Sequence, residues 1–405
     1  MTRIDENEVK KALDKPAAYG EDIDLNEYVE GDREVEQIEN ITDTPEDLKK
    51  RMINVGVEAD DDGKEGTILF IDNAMSHCSN KAQEGLIIMN TQKALEMYPW
   101  ARDYYWSAID PTKDKYTAKT YQEDSDGYFI YVKAGYHIKT PVQTCMMLAK
   151  NRSVQNLHNI IIVDDNASLD MVTGCTTVHH ANQALHVGVS EMFIGNNSSL
   201  SFTMVHSWSD QTAVRPRTNV LMGKNSNYVN NYVVLDPVGT IQSFPNAYLN
   251  GEGARCSFNT MCIAHENSNI DTGGCAVLNA PNTGAEIVSR NISYGGKMIA
   301  RGKLVGNAPG AKAHLECKSI ILKDGGVTHA IPELEASCSD VEMTHEAAVG
   351  KIAQEQIDYL MTRGLSQDEA VSMIVRGFLV GGIRGLPTNL QSEIDAAIEK
   401  ANEGN

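Results

Sequence analysis

The chain has 405 residues, of which 41% are hydrophobic and 22% are charged, a composition typical of a folded protein with two or three structural units. Its formal net charge of −20 argues against nonspecific nucleic-acid binding, because phosphates would be repelled. No apolar run approaches the roughly 20 residues of a membrane-spanning helix, and MTRIDENEVKKALDKP lacks the apolar core of a secretory signal. The sequence therefore predicts a cytoplasmic protein that binds neither nucleic acid nor membrane.

Residues 1–125 are charged and mixed, and they predict an N-terminal helical or mixed domain. Helical patterns occur in EDLKKRMINVG and in NTQKALEMY. A group of aromatic residues could suggest a base-stacking platform. In so acidic a chain we interpret the group as a packing patch against the rest of the protein: Tyr98, Trp100, Tyr104, Tyr105 and Trp106.

Residues 126–351 contain short apolar or alternating runs, each bounded by Gly, Asn, Asp, Ser or Thr. Runs such as YFIYVKAGYHI, NIIIVDD and KSIILKD are typical of strands separated by turns. The length of the segment suits a coiled β-helix better than a single sandwich, with rungs of roughly 20 to 25 residues stacked on their neighbours. No sharp sequence repeat stands out. The pattern predicts a mainly β protein with helical ends and a β-helix core.

Residues 352–405 return to helical patterns and predict a C-terminal helical docking domain. Gly364 ends the first helix, and Ser366 with Glu369 forms a capping box for the second. The second helix has an apolar stripe made of Ala370, Ile374 and Phe378, and a last helix has one made of Leu390, Ile394 and Ile398. So small a unit has little core, which favours the use of some apolar surface for a partner.

Eight cysteines occur, and none forms the C-x-x-C pair of a zinc ribbon or a thioredoxin-type motif. Most are interpreted as small buried residues. Cys317 differs because His345 and Glu346 follow within 29 positions, a spacing that stacked strands could bring together. One thiolate with an imidazole and a carboxylate would hold an iron–sulfur cluster less firmly than four thiolates. The structural alternative is a buried thiol and a His-Glu pair at a corner.

The order of Cys317, then His345-Glu346-Ala347, then YLMTRGLSQDEA and Gly377-Phe378, resembles the SufB/SufD family of iron–sulfur cluster assembly scaffolds. A second stretch that resembles this family is MVTGCTTVHHANQALHVGVSEMFIGNNSSLSFTMVHSW. The likeness covers roughly residues 130 to 380, and its C-terminal motif is the more specific. At Thr344 the chain departs from SufB, which has an acidic residue there, so one carboxylate ligand is missing.

The resemblance implies a right-handed parallel β-helix flanked by helical domains and paired through its C-terminal rungs with a second copy, as in an archaeal-type homodimer. It implies that Cys317, His345 and Glu346 bind a transient [4Fe–4S] or [2Fe–2S] cluster at the dimer interface. Cys175 matches a family cysteine proposed to accept sulfur. At roughly six rungs from Cys317, it would be too distant to be a ligand of the same cluster.

The resemblance also implies partners. Residues Arg363, Gly364, Leu365 and Phe378 would dock a SufC-like ABC ATPase, and recipient apo iron–sulfur proteins would take up the cluster. A flavin, proposed for bacterial relatives, is not assigned to this chain. The sequence has no P-loop GxxxxGK[ST] and no GxGxxG opening a βαβ unit, so ATP hydrolysis is expected in the partner and the chain itself is predicted not to be an enzyme.

The alternative function is a β-helix enzyme acting on a polymeric carbohydrate. Such an enzyme needs paired carboxylates on one face, or a metal-bound base. Acidic candidates are available at Glu191, Asp210 and Glu252, but their spacing predicts no pair.

Overall fold

The computed structural model describes residues 4–80, 84–178, 181 and 183–380. Strands make up 47% and helices 17%, and the strands wind into a β-helix of about eight turns with helices at both ends. The predicted fold class is therefore confirmed. The predicted last helix, with Leu390, Ile394 and Ile398, lies outside the described residues, as does the rest of the predicted docking domain beyond residue 380.

The described residues form six α-helices. Their bounds are α1 (Glu6–Ala12), α2 (Glu46–Asn54), α3 (Thr91–Met97), α4 (Lys115–Gln122), α5 (Gln354–Met361) and α6 (Gln367–Val380). The helical patterns of the sequence correspond to α2, α3, α5 and α6. The predicted capping box is present at α6: the backbone N–H of Glu369 donates to the Ser366 hydroxyl, and the backbone N–H of Ser366 donates to the Glu369 carboxylate.

The strands follow one another along the chain with short connections. Their bounds are β1 (Val29–Glu30), β2 (Gly66–Ile71), β3 (Ala74–Asn80), β4 (Leu86–Asn90), β5 (Tyr128–Val132), β6 (Val142–Leu148), β7 (Ser153–Val163), β8 (Ser168–Thr177), β9 (Leu185–Ile194), β10 (Ser199–Ser207), β11 (Ala213–Val214), β12 (Arg217–Met222), β13 (Asn227–Val234), β14 (Thr240–Ser243), β15 (Asn246–Leu249), β16 (Arg255–His265), β17 (Asn269–Leu278), β18 (Gly284–Tyr294), β19 (Lys297–Gly306), β20 (Ala311–Lys323), β21 (Val327–Ala336) and β22 (Val341–Gly350).

These strands form two largely parallel sheets, one on each side of the coil. The ten-stranded sheet has the order β22-β20-β18-β16-β13-β10-β8-β6-β2-β3, and the twelve-stranded sheet contains the remaining strands. The sheets extend into the predicted N-terminal domain, because β2 pairs in parallel with β6 and β4 pairs with β5. Strands of both sheets therefore lie on each side of the predicted boundary at residue 125.

The rungs are longer than the 20 to 25 residues that the sequence predicts. From β6 to β22, register partners in the ten-stranded sheet are 28 to 31 residues apart, as for Cys175 with His206 and for His206 with Val234. One turn recurs at this period, and in six successive rungs one residue of the turn has a left-handed φ. These residues are Asn166, Asn197, Asn225, Gly253, Asn282 and Gly310. Asn and Gly tolerate this conformation best, so backbone geometry rather than a sequence motif carries the repeat.

The interior of the coil is a packed apolar core. Side chains from both sheets fill it, among them Phe202 and Phe258 of the ten-stranded sheet and Met192 and Val220 of the twelve-stranded sheet, each no more than 2% exposed. Alternate residues of each strand point inward, and the residues between them point outward. Interior and exterior positions on one strand are therefore separated by the sheet itself.

The helices cover the outer faces. On the ten-stranded sheet, α6 packs with Val375 and Leu379 buried in a cluster that includes Ile263 and Ile292. The predicted stripe is displaced around the helix, since Ile374 and Phe378 are only half-buried. The side of α6 that meets the sheet is chosen by packing, and Val375 and Leu379 supply as much apolar surface as the predicted positions.

The aromatic group of the N-terminal region packs against the twelve-stranded sheet, as the sequence predicts. Trp100 contacts Phe129 and Tyr131, with ring centroids 5.9 and 4.8 Å apart, and the rings of Trp106 and His158 lie 4.3 Å apart. The N-terminal segment is thereby fixed to the β-helix.

Candidate functional site

The two strands that carry the predicted cluster ligands are neighbours in the ten-stranded sheet. In the parallel pairing of β20 with β22, Leu315 lies beside His345 and Glu316 lies beside Glu346. Neighbouring strands are about 4.8 Å apart, so one rung brings together residues that are about 30 positions apart in the sequence. β22 is the terminal strand of the described sheet.

Cys317 points into the packed interior. It is fully buried in the same apolar cluster as Leu315, and strand alternation turns Glu316 and Lys318 outward. Burial raises the pKa of the Cys317 thiol to about 11; the charge of Glu316 adds to this effect and that of Arg290 opposes it. The thiol is therefore neutral at pH 7, and a metal that binds it must displace its proton.

His345 lies on the same face of the sheet as Cys317, because its register partner is Leu315. One strand across and two residues along place the two Cα atoms about 8 Å apart. His345 is exposed, since no described strand follows β22 in the sheet. Cys317 and His345 thus belong to the same inner surface, at the C-terminal end of the coil.

Glu346 lies on the opposite, outer face. The Lys318 Nζ is 3.0 Å from a carboxylate oxygen of Glu346 and 3.0 Å from one of Glu316, and Arg290 also forms an ion pair with Glu316. Burial opposes the ionisation of Glu316, but Lys318 and Arg290 outweigh it and lower the pKa of the carboxyl group. Within one chain, the sheet separates Glu346 from Cys317.

The outer face groups Glu346 with two residues that sequence reasoning missed. His314, Glu316 and Glu346 each offer a ligand atom, and these atoms all lie within 4.8 Å of one another. No other such group of three occurs among the described residues. The available signal was the alternation in AHLEC, where His314 and Glu316 occupy positions of one face and Cys317 a position of the other.

Cys175 lies far from this end of the molecule. It is fully buried on β8, in a ladder whose following members are His206, Val234, Cys262, Asn291 and Ser319. Five strand spacings, about 24 Å in all, separate Cys175 from the level of Ser319, which is two residues beyond Cys317. The predicted separation was six rungs. Either value is too long for both thiols to contact one cluster.

His206 is the register neighbour of Cys175, on the next strand and the same face. Its Nδ1 lies 3.1 Å from the hydroxyl oxygen of Tyr232, and its buried Nε2 has no hydrogen-bond partner among the described residues. Burial raises the pKa of Cys175 well above its usual value and lowers that of His206 well below its own. Sequence reasoning did not identify His206, because only strand pairing brings it beside Cys175.

Comparison with known proteins identifies the family of this chain. The family profile for the SUF system FeS cluster assembly, SufBD core domain, matches residues 146–378. The chain belongs to the SufBD family. An "Iron-sulfur cluster assembly SufBD family protein" of Methanothermobacter thermautotrophicus is 40% identical over 410 residues, covering 100% of both chains. One of Archaeoglobus fulgidus is 44% identical and covers 87% of this chain and 95% of its own. One of Staphylococcus epidermidis is 30% identical, covering 94% and 83%.

The predicted docking residues of this SufBD protein lie on and between α5 and α6. Arg363 and Gly364 are exposed and Leu365 is half-buried. Phe378 is half-buried against the outer apolar cluster, and its ring lies 5.9 Å from the Arg290 guanidinium. Three other large apolar side chains on the same two helices are exposed, namely Tyr359, Met361 and Met373.

Two of the three candidate carboxylates of the carbohydrate-enzyme alternative, Glu191 and Glu252, have structural contacts. Glu191 is fully buried, accepts hydrogen bonds from the backbone N–H groups of Trp106, Ala108 and Ile109, and lies 2.8 Å from the Nε2 of His158. It anchors the N-terminal segment to the β-helix. Glu252 forms an ion pair with Lys224. Glu191 and Glu252 therefore have structural partners in the folded chain.

Two further observations concern the predicted environment. All eight cysteines are free, and five of them are at most 4% exposed, including Cys145, Cys175 and Cys317. Among the described helices, none is both long enough and apolar enough to cross a membrane.

Proposed function

We propose that this SufBD protein is a scaffold on which an iron–sulfur cluster is built at an interface between two copies of the chain. Cys317 and His345 of one copy and Glu346 of the other supply the ligands. The observation that carries the proposal is the placement of Cys317 and Glu346 on opposite faces of one sheet. Cluster ligands must touch the iron directly, so a second copy is needed to supply both to one cluster.

The last rung has the properties of a surface that pairs with another chain. β21 and β22 are terminal strands of their sheets in the described residues, and a terminal strand presents unpaired backbone N–H and C=O groups. Apolar side chains are exposed on these strands, at Val327, Leu334 and Val349. Pairing of two such edges buries apolar surface and satisfies backbone groups, which supports a homodimer formed through the C-terminal rungs.

The ligand chemistry suits a cluster that is cargo rather than a resident cofactor. Thiolates bind Fe–S clusters most firmly, and imidazole and carboxylate ligands exchange more readily. The buried, neutral Cys317 thiol needs metal to displace its proton, which lets protonation favour release. A site with one thiolate per chain therefore suits assembly and transfer to a recipient apo protein.

In this proposal, a partner protein hydrolyses ATP and docks on the C-terminal helices of this chain. The α5–α6 region presents exposed Arg363 and Gly364, and three apolar side chains on the same two helices are exposed, Tyr359, Met361 and Met373. The Arg363 guanidinium lies 5.2 Å from the Tyr359 ring. Apolar anchors beside a cation and a tight turn are suited to a protein interface. We assign this surface to a SufC-like ABC ATPase.

Anaerobic reconstitution with iron and sulfide tests the cluster site. Cys317→Ser is expected to abolish the visible absorbance of the cluster, since a serine hydroxyl does not replace a thiolate in such a site. The matched control is Cys338→Ser, because Cys338 lies between β21 and β22 near the same rungs and is more accessible than Cys317.

The control variant is expected to bind as much cluster as the wild-type chain. Normal cluster absorbance in Cys317→Ser would overturn the assignment of Cys317. If both variants lose the cluster while circular dichroism shows that both chains are folded, then Cys317 and Cys338 are both required and Cys317 is not the sole thiol ligand.

A further inference from the structure

The outer face of the last two rungs carries a ligand set distinct from the inward-facing Cys317. His314, Glu316 and Glu346 have ligand atoms within 4.8 Å of one another. The set comes from two adjacent strands in register, with Glu316 directly beside Glu346 and His314 directly beside Thr344. Rigid sheet positions of this kind hold side chains in a more defined geometry than a loop does.

The His314 ring is held in place from the neighbouring strand. Its Nδ1 lies 2.8 Å from the Thr344 hydroxyl oxygen, and a polar partner on one ring nitrogen orients the other for a metal. The neighbouring strand thus supplies the partner that orients this imidazole.

The Lys318 ammonium group occupies the position between the two carboxylates that a metal ion would take. The Lys318 Nζ bridges the two carboxylates, 3.0 Å from an oxygen of each. The Lys318 side chain is 30% exposed, and that of Glu346 is 55% exposed. An ammonium group on a flexible stem can move into solvent when a divalent ion binds, whereas Arg290 can stay paired with Glu316.

We propose that His314, Glu316 and Glu346 form a mononuclear site that binds ferrous iron before the cluster is assembled. One imidazole with two carboxylates suits Fe²⁺ and Mn²⁺. Binding is a ligand exchange in which Fe²⁺ replaces the Lys318 ammonium group, and the iron keeps its oxidation state. The inference rests on the proposed function, since Glu346 would belong both to this site and to the cluster on the other copy's thiol.

Binding of Mn²⁺ to the full-length chain, followed by the electron paramagnetic resonance signal of free Mn²⁺, tests the site directly. About 0.15 M salt weakens the general attraction of a chain with net charge −20 for cations. The wild-type chain is expected to bind one ion, and Glu316→Gln and His314→Gln are each expected to weaken binding about ten-fold or more. Lys318→Met is expected to strengthen it several-fold, because the competing cation is removed.

The matched control is Glu342→Gln. Glu342 lies on the same strand and the same face as Glu346 and is paired with Lys312 at 2.9 Å, but it is not part of the ligand set. It is expected to leave Mn²⁺ binding unchanged. Equal loss in Glu316→Gln and Glu342→Gln would indicate only diffuse binding to exposed carboxylates and would overturn the proposal, as would weaker binding by Lys318→Met.

The cluster assay separates this inference from the proposed function. Cys317→Ser is expected to keep Mn²⁺ binding while losing the cluster. If the wild-type chain binds no stoichiometric Mn²⁺ but forms a cluster that depends on Cys317, the loading site is wrong and the scaffold assignment stands. If Mn²⁺ binds as expected but Cys317→Ser forms a normal cluster, the metal site stands and the assignment of the cluster to Cys317 fails.

Discussion

Cys317 and Glu346 lie on adjacent strands but on opposite faces of the sheet. Cys317 is buried in the interior of the coil, and Glu346 is paired with Lys318 on the outside. Alternation along a strand fixes this arrangement, and a change of side would require a register shift of one residue along the whole strand. The two residues are therefore ligands of one cluster only if they come from two chains.

Mixed dimers test this requirement. When Cys317→Ser and Glu346→Gln chains with different affinity tags are co-expressed, each mixed dimer keeps one site with both an intact thiol and an intact carboxylate. We expect the purified mixed dimer to hold roughly half of the wild-type cluster content, since the two sites of a two-fold dimer are equivalent. Each homodimer of either variant is expected to be strongly impaired. Cluster absent from the mixed dimer would contradict assembly across the interface.

The docking surface is best tested with point substitutions. Truncation before α6 would expose Ile263 and Ile292, against which Val375 and Leu379 pack, so a loss of binding would be ambiguous. Met373 is 52% exposed, and Met373→Glu is expected to weaken the affinity for the SufC-like ATPase about ten-fold, because a charge replaces an apolar anchor.

Calorimetric titration of the ATPase into the full-length chain measures this effect. Ile53→Glu is the control, since Ile53 is 53% exposed on α2 and far along the chain from the docking helices. It is expected to bind the ATPase like the wild type. Wild-type affinity in Met373→Glu would remove Met373 from the interface.

Cys175 is expected to matter only for one source of sulfur. Its distance from Cys317 excludes it as a ligand, so Cys175→Ala should form a normal cluster from free sulfide and form it more slowly from a persulfide donor. The rate of cluster absorbance with each sulfur source measures the difference. Cys262→Ala, in the same ladder and equally buried, is the control. Equal rates of Cys175→Ala and the control with the persulfide donor would leave Cys175 a structural residue.

Buried histidines predict a loss of stability in acid. Burial lowers the pKa of His186 to about 3, whereas an unfolded histidine titrates near 6.5. Below about pH 6.5 the unfolded chain takes up a proton at His186 and the folded chain does not. The contribution of this histidine to the free energy of unfolding is therefore fully present above about pH 6.5 and is lost as the pH falls towards 3. Between pH 7 and pH 5, this one group reduces the free energy of unfolding by about 2 kcal/mol.

Urea unfolding at the two pH values measures this contribution. His186→Gln is expected to show a pH dependence smaller by that amount, because the variant has no group at this position to protonate. His137→Gln, at an exposed position between β5 and β6, is expected to keep the wild-type dependence. An unchanged dependence in His186→Gln would show that the histidine is protonated without unfolding.

The sequence was sufficient for the architecture because its signals are local. Short apolar runs bounded by turn residues identified the strands, and the capping pair Ser366 and Glu369 identified the start of α6. The rung length was predicted too short because its marker, a left-handed turn residue that is Asn in some rungs and Gly in others, is a backbone feature and not a conserved letter.

The candidate site likewise has some features that the sequence predicted and others that only the structure shows. The residue order Cys317, His345, Glu346 and the resemblance to SufB/SufD pointed to the family, which the comparisons confirm. Which side of the sheet each ligand occupies, the grouping of Glu346 with His314 and Glu316, and the position of His206 beside Cys175 were decided only by the tertiary structure. Register between strands about 30 residues apart sets these neighbours, and that register follows from packing of the whole coil rather than from any short stretch of sequence.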